Sequence, residues 1–253
     1  MRTIHWAGDS TVAFNGADTY PQTGIGQALP LYLKRDVLVR NYAMNGRSTK
    51  SFMDEGRLSE IEKNIKEGDF LFIQFGHNDE KAQDAARYTT PYDTFTSNLE
   101  IYANVAKKVG AHPVFITPLE RRKFVTKEEF EKQAGLCDGD DRFVNAEGGS
   151  FISPTHGDYP DAMLKFAYEN DIPCLDLNKA SRELMEEKGP EETLNWFMHV
   201  KGGRYPYVTE DKADNTHLRY EGAVVFAGII AKELKELGGI YEDLVECTCN
   251  ILS

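Results

Sequence analysis

An α/β fold with a parallel central sheet is what the sequence predicts, on three observations. Short apolar runs alternate with longer amphipathic stretches, as successive βα units require. The runs have the length of strands buried on both faces of a sheet. The 253 residues are enough chain for one large α/β domain, expected to span 1–253. The predicted strands are Thr3 to Ala7, Val37 to Ala43, Asp69 to Phe75, Pro113 to Thr117 and Pro173 to Leu177.

Helical periodicity fills the intervals. Gly24 to Lys34 places Ile25, Ala28, Leu29 and Leu33 on one face, and Gly56 to Lys66 does the same with Leu58, Ile61 and Ile65. Tyr92 to Lys108 repeats apolar residues at three and four, from Phe95 through Leu99 and Tyr102 to Val105 and Ala106. Tyr159 to Glu169, Lys179 to Glu187 and Tyr220 to Leu237 complete the set, the last being the longest and most apolar and expected to close the domain. Pro118 to Pro160 reads as one long irregular stretch with a short helix at Lys127 to Lys132, and loops of that length suggest a substrate wall.

Composition narrows the function. Lys and Arg total 29 against 41 Asp and Glu, a net charge of −12, which lacks the basic footprint of a nucleic-acid or anionic-membrane binder. Cys137, Cys174, Cys247 and Cys249 are too few and scattered for a disulfide framework, and the Cys247-x-Cys249 pair lacks the second pair a zinc site needs. No apolar stretch approaches the ~18–20 residues of a membrane span. The N-terminus enters a strand-length run rather than a signal-peptide core, so a cytoplasmic protein is expected unless a leader has been removed.

Three strands end in unusual polar loops: Gly8-Asp9-Ser10-Thr11, Asn45-Gly46-Arg47-Ser48 and Gly76-His77-Asn78-Asp79. Ligands of open parallel sheets bind outside the carboxyl ends of the strands, where strand order reverses. With the order 2-1-3-4-5, strand 1 lies between strands 2 and 3 and the three loops converge. Ser10 then supplies a hydroxyl at a strand-to-helix turn, Gly46 a backbone N–H unobstructed by a Cβ, and Asn78 a neutral amide donor. Ser10, Gly46 and Asn78 together read as an oxyanion hole around a serine nucleophile. The base is expected at Asp214-Asn215-Thr216-His217, where a carboxylate three residues before an imidazole reaches back to Nδ1 and leaves Nε2 for the serine proton.

Each piece alone has an ordinary structural reading. Gly-Asp-Ser is a common turn, and Asp-x-x-His a common helix N-cap. Rival motifs fail on detail. Gly46-Arg47-Ser48-Thr49-Lys50 lacks the second glycine of a nucleophile elbow. Gly24-Ile25-Gly26 leads to Leu29 where a dinucleotide fingerprint has glycine or alanine. His5, His112 and His199 lie in or beside apolar runs and read as structural.

Taken together, Gly8-Asp9-Ser10, Gly46, Gly76-His77-Asn78-Asp79 and Asp214-x-x-His217 resemble the four blocks of the GDSL/SGNH hydrolases, across nearly the whole chain. Gly8 to Ala13, Pro118-x-x-Arg121-Arg122 and Thr155-His156-Gly157-Asp158-Tyr159-Pro160 are similar to the rhamnogalacturonan acetylesterase branch, although Leu218 stands where an aromatic is expected. The resemblance implies a flavodoxin-like three-layer α/β/α sandwich on a five-stranded parallel sheet. It implies Ser10 as nucleophile, His217 as base and Asp214 as its orienter, with no metal or organic cofactor. The implied reaction removes O-acetyl groups from a pectic, rhamnogalacturonan-type oligosaccharide. Two alternatives stand beside it: an esterase on another small acetyl ester such as an acetylated xylan oligomer, and a non-catalytic sugar-binding protein on the same scaffold. Arg121, Arg122 and His156 are candidate substrate contacts, since arginine suits the galacturonate carboxylate and His156 lies in the long loop. The competing reading pairs the arginines with Glu128 or Glu129 in a solvated loop.

Overall fold

The computed structural model describes residues 2–129 and 149–246. Its five-stranded parallel sheet is formed by β1 (Arg2–Gly8), β2 (Val37–Asn41), β3 (Phe70–Gln74), β4 (His112–Ile116) and β7 (Cys174–Leu175), in the order β2-β1-β3-β4-β7. Renumbered along the sheet this is 2-1-3-4-5, with the order reversing beside β1.

Alternation along the strands divides the interior in two. Ile4 and Trp6 of β1, Phe70 and Phe72 of β3, and Val114 and Ile116 of β4 face one core. Ala7, Leu71, Ile73 and Phe115 face the other. Every residue of β3 is buried, as a central strand covered on both faces must be.

Helix α1 (Ile25–Ala28), α6 (Leu177–Thr193) and α7 (Tyr220–Leu237) cover the first face. On the second lie α2 (Thr49–Asp54), α3 (Arg57–Asn64), α4 (Thr96–Lys107) and α5 (Tyr159–Glu169). The result is a three-layer α/β/α sandwich. Helix α7 contributes Phe226, Ala227, Ile230 and Leu234 to its core and stops at Gly238, whose φ of 70° lies in the left-handed region.

Several expectations need correction. The helix expected over Gly24 to Lys34 is only one turn long and tightens into a 3₁₀ turn at Leu29–Leu31, where Pro30 has no N–H to continue it. The helix expected over Lys179 to Glu187 runs on to Thr193, broken at Gly189 just before Pro190. Helix α2 went unpredicted; Ser48 caps it, accepting from the Ser51 N–H at 3.2 Å.

The stretch Pro118 to Pro160 is not one exposed loop. Leu119 to Val125 is buried, and β5 (Phe124–Val125) pairs antiparallel with β6 (Phe151–Ile152). Of the expected helix at Lys127 to Lys132, residues 127–129 are helical and the remainder lies outside the described residues, as do Cys137, Cys247 and Cys249. A second antiparallel pair, β8 (Phe197–Val200) with β9 (Lys212–Leu218), is also absent from the sequence reading. Leu218, where an aromatic is expected, is a core residue opposite Phe197. Among the described residues no helix is long and apolar enough to cross a membrane.

Candidate active site

The loops after β1, β2 and β3 meet beside the point of strand-order reversal. Asp9 to Ala13 form one helical turn, with the N–H groups of Val12 and Ala13 donating to the Asp9 carbonyl at 3.2 and 3.0 Å. The Asp9 carboxylate is turned inward, where its Oδ1 accepts from the Thr11 N–H and Oγ at 2.9 and 2.8 Å. This pair of hydrogen bonds from Thr11 fixes the turn on which Ser10 sits.

Ser10 Oγ lies 3.0 Å from His217 Nε2, and His217 Nδ1 lies 2.7 Å from Asp214 Oδ2. A carboxylate only accepts, so it holds the imidazole proton on Nδ1 and leaves the Nε2 lone pair facing the serine hydroxyl. The other oxygen of Asp214 accepts from the N–H groups of Thr216 and His217 at 2.8 and 2.9 Å. Burial by itself would raise the Asp214 pKa. The bonds from His217 and Thr216 outweigh it and hold the carboxyl at about 2. The side chains of His217 and Asp214 remain 30% and 33% exposed, so the relay opens to solvent.

His217 does not sit in a helix N-cap turn. Asp214 and His217 are on β9, at a break in its pairing: Leu218 is opposite Phe197, but the next step along β8, Met198, is opposite Asp214. Asn215, Thr216 and His217 form a bulge with no counterpart on β8. That bulge folds the strand so that the Asp214 carboxylate reaches the ring three residues on.

Gly46 adopts a φ of +80°, which a side chain disfavours, in the turn after β2. Among the described residues, neither its backbone N–H nor that of Ser10 has a hydrogen-bond acceptor. Asn78 is buried; its Oδ1 accepts from Arg87 Nη1 at 3.2 Å, and its Nδ2 donates to the Arg47 carbonyl at 3.1 Å. Because guanidinium only donates, Arg87 settles which end of the Asn78 amide carries the N–H groups. One of the two Nδ2 protons is thereby committed and the other is left over. Sequence reasoning missed Arg87, which carries no motif of its own.

The three residues read as substrate contacts are turned into the protein. Arg121 is 1% and His156 1% exposed. Arg121 Nη2 pairs with Glu80 Oε1 at 2.5 Å and its Nη1 donates to Thr155 Oγ at 3.2 Å. His156 places Nδ1 2.9 Å from Glu80 Oε2 and Nε2 2.9 Å from the Leu119 carbonyl. Both neighbours are acceptors, so both ring nitrogens carry protons. Burial opposes that charge, but Glu80 and Glu120 outweigh it and raise the His156 pKa. Glu120 completes a buried set of two acids and two cations, with Oε1 accepting from the N–H groups of Arg121 and Thr155. Among the described residues, the acid paired with the Arg121 guanidinium is Glu80 rather than Glu128 or Glu129.

Arg122, 8% exposed, donates from Nε to Thr193 Oγ at 3.0 Å and from Nη1 to Asn215 Oδ1 at 3.1 Å, and from Nη2 to the Pro190 carbonyl. In these contacts both arginines face protein groups. His156 borders a polar cleft of about 240 Å³ that Asp176, Lys179 and Arg182 also line, and no residue of the Ser10 relay borders it.

Two other buried groups shape the site from beneath. His77 has its Nδ1 3.3 Å from Asp9 Oδ2 and stands edge-on to His156 at 4.5 Å. Burial lowers its pKa, which keeps the ring neutral at pH 7. Asp79 is pushed up to about 8 by burial, against the bonds it receives from Thr49 and Thr89. It therefore ties the start of α2 to the loop after β3 largely as a neutral acid.

Residues 4–229 match the GDSL-like lipase/acylhydrolase family, and the chain belongs to that family of serine esterases. It is 40% identical over 235 residues to the rhamnogalacturonan acetylesterase RhgT of Bacillus subtilis, covering 93% of this chain and 90% of that protein. A probable rhamnogalacturonan acetylesterase of the same organism, YesY, is 36% identical over 238 residues, covering 93% of each chain. Among solved structures, Bacillus subtilis YxiM superposes with a TM-score of 0.70 at 28% identity, over 94% of this chain and 57% of that one. An acetylxylan esterase of Geobacillus stearothermophilus, Axe2, gives 0.57 at 13% identity over 92% and 93% of the two chains, a likeness of fold alone.

Two measurements check the buried groups. Arg121→Ala leaves the buried Glu80 and Glu120 facing His156 as their remaining cation among the described residues and is expected to lower unfolding free energy by about 3 kcal/mol, read from urea titrations; a rise in KM at unchanged stability would return Arg121 to the substrate. The native fold holds the Asp79 proton that the unfolded chain releases near 3.8, so this group's stabilisation is full at acid pH and is lost as pH rises toward and past 8. Stability of Asp79→Asn, which cannot ionise, should fall less than that of the parent between pH 4 and 8. Parallel curves would mean that Asp79 is ionised in the fold.

Proposed function

We propose that the protein is a carbohydrate O-acetylesterase that removes acetyl groups from rhamnogalacturonan-type pectic oligosaccharides. The observation that carries the chemistry is the unbroken relay from Asp214 Oδ2 to His217 and from His217 Nε2 to Ser10 Oγ, at 2.7 and 3.0 Å. The 40% identity to RhgT over nearly all of both chains supports the choice of substrate.

In this reading Ser10 Oγ attacks the acetyl carbonyl carbon while His217 Nε2 takes the hydroxyl proton. The negative charge that develops on the carbonyl oxygen is met by the Ser10 and Gly46 N–H groups, which have no acceptor among the described residues, and by the remaining Asn78 Nδ2 proton. Collapse of the tetrahedral intermediate breaks the bond to the sugar oxygen, which leaves with the proton from His217. Water, deprotonated by the same Nε2, then attacks acetyl-Ser10, releasing acetate and restoring the hydroxyl. Asp214 keeps its charge throughout and stabilises the imidazolium in each half-reaction, a role suited to a carboxyl held at about 2.

Galacturonate brings negative charge to a protein that already carries −12. Short oligosaccharides are therefore better suited to the site than long polyanionic chains.

Acetate release from acetylated rhamnogalacturonan oligosaccharides, set beside acetylated xylan oligomers, tests the assignment. The pectic substrate should be turned over faster; a preference for xylan oligomers would move the substrate to the other class. Ser10→Ala should lower kcat by about 10⁴–10⁶-fold, and a variant as active as the parent would overturn the mechanism.

A further inference from the structure

Asn215, Thr216 and His217 stand outside the β8–β9 ladder, so strand pairing does not hold the ring of His217 where it is. The first residue of the bulge is instead gripped from outside the hairpin. Arg122 donates its backbone N–H to the Asn215 carbonyl at 2.9 Å and its Nη1 to Asn215 Oδ1 at 3.1 Å. His199 Nε2, 2.6 Å from the same Oδ1, donates from the β8 side. Asn215 is thereby held through main chain and side chain alike, and it directly follows Asp214.

The other arms of Arg122 reach the last turn of α6, beyond its break at Gly189. Nε donates to Thr193 Oγ, whose hydroxyl in turn donates to the Gly189 carbonyl at 2.8 Å, and Nη2 donates to the Pro190 carbonyl, all at the C-terminal end of α6. The Phe124 ring lies 5.2 Å from the guanidinium carbon. A planar guanidinium has its donors in one fixed fork, so three separated acceptors define its plane and the place of Asn215 with it. The arrangement is buried: Thr193 is fully covered and Asn215 is 4% exposed.

We propose that Arg122 is a positioning residue for the esterase reaction, clamping Asn215 so that the bulge presents His217 Nε2 to Ser10 at a productive distance. The inference rests on the roles proposed above for Ser10, His217 and Asp214. In this role Arg122 acts through Asn215, to which it is bonded, and not on the reacting atoms. Its contribution is alignment, to which rates are steep: misplacement by about 1 Å can cost on the order of 10²-fold.

The test compares Arg122→Gln, Asn215→Ala and the double variant, using p-nitrophenyl acetate, with functional Ser10 titrated by a fluorophosphonate. Each single variant should lose about 10–100-fold in kcat per titrated serine with KM unchanged, and the double should be no worse than the weaker single, because both remove one link. The downfield proton resonance of the His217–Asp214 hydrogen bond should broaden or shift in both. A merely structural arginine would lower the number of titratable serines and leave kcat per site and the resonance as in the parent, which would overturn the proposal. Should Arg122→Gln not fold, Asn215→Ala and Arg122→Lys decide by the same readouts. Inactivity of the parent, or a fully active Ser10→Ala, would sink the esterase mechanism itself; an active parent, a dead Ser10→Ala and unchanged clamp variants would sink the clamp alone.

Discussion

The geometry of the relay depends on a break in strand register. One step along β8 corresponds to four along β9, and the three surplus residues end in His217. Were the ladder regular, Asp214 and His217 would lie three positions apart on a strand, on opposite faces and about 10 Å distant along it. No carboxylate–imidazole bond could then form. The bulge folds the segment back until Asp214 accepts from two of its own neighbours' N–H groups and from the ring. Those bonds hold the carboxyl ionised despite burial, so the register break sets both the shape and the charge of the dyad.

The two halves of the site are built on different principles. Ser10, Gly46 and Asn78 follow β1, β2 and β3, so the central sheet places them together by its order and twist. His217 belongs to a hairpin outside that sheet, and must be registered against the other half by contacts. The segment Glu120–Arg122 runs between them. Arg121 turns toward Glu80, two residues after Asn78, while Arg122 turns toward Asn215, one residue after Asp214. Adjacent arginines thus tie the loop after β3 and the bulge to a single stretch of buried chain.

The sheet and the convergence of the Ser10, Gly46 and Asn78 loops were legible because their determinants are local. Apolar runs mark the strands, Gly46 marks a backbone that a Cβ disfavours, and Gly8-Asp9-Ser10 and Gly76-His77-Asn78 sit where strands end. Residue type and spacing put Asp214 within reach of His217, but the strand that carries both was not foreseen. Strand β8 is only four residues long, and nothing in Lys212 to Leu218 alternates in the way a half-buried strand does. The arginines were misread for another reason. Charge and a loop-like neighbourhood suggested exposure, yet the partners that make burial tolerable, Glu80 and Asn215, lie 41 and 93 residues away. Sequence spacing carries no trace of a contact at such range. The same holds for Arg87, whose effect on Asn78 depends on which amide end faces it.

Turning Arg121 and Arg122 inward changes what can recognise an acidic sugar. Arg87 donates to Asn78 and Arg47 directly follows Gly46, and each guanidinium is already paired, Arg47 with Glu55 at 2.9 Å and Arg87 with Asp84 at 2.6 Å. These pairs are partly exposed, where a rival carboxylate can exchange for the protein's own at little net cost in free energy, because water and counterions screen both. Both guanidinium charges are thus already matched by a carboxylate, within a chain of net charge −12. Selectivity on the proposed activity therefore falls to the fit of the acetyl group at Ser10 and of the neutral sugar hydroxyls. An acidic residue further along the substrate adds long-range repulsion, and each added galacturonate increases it until salt shortens its reach to a few ångströms.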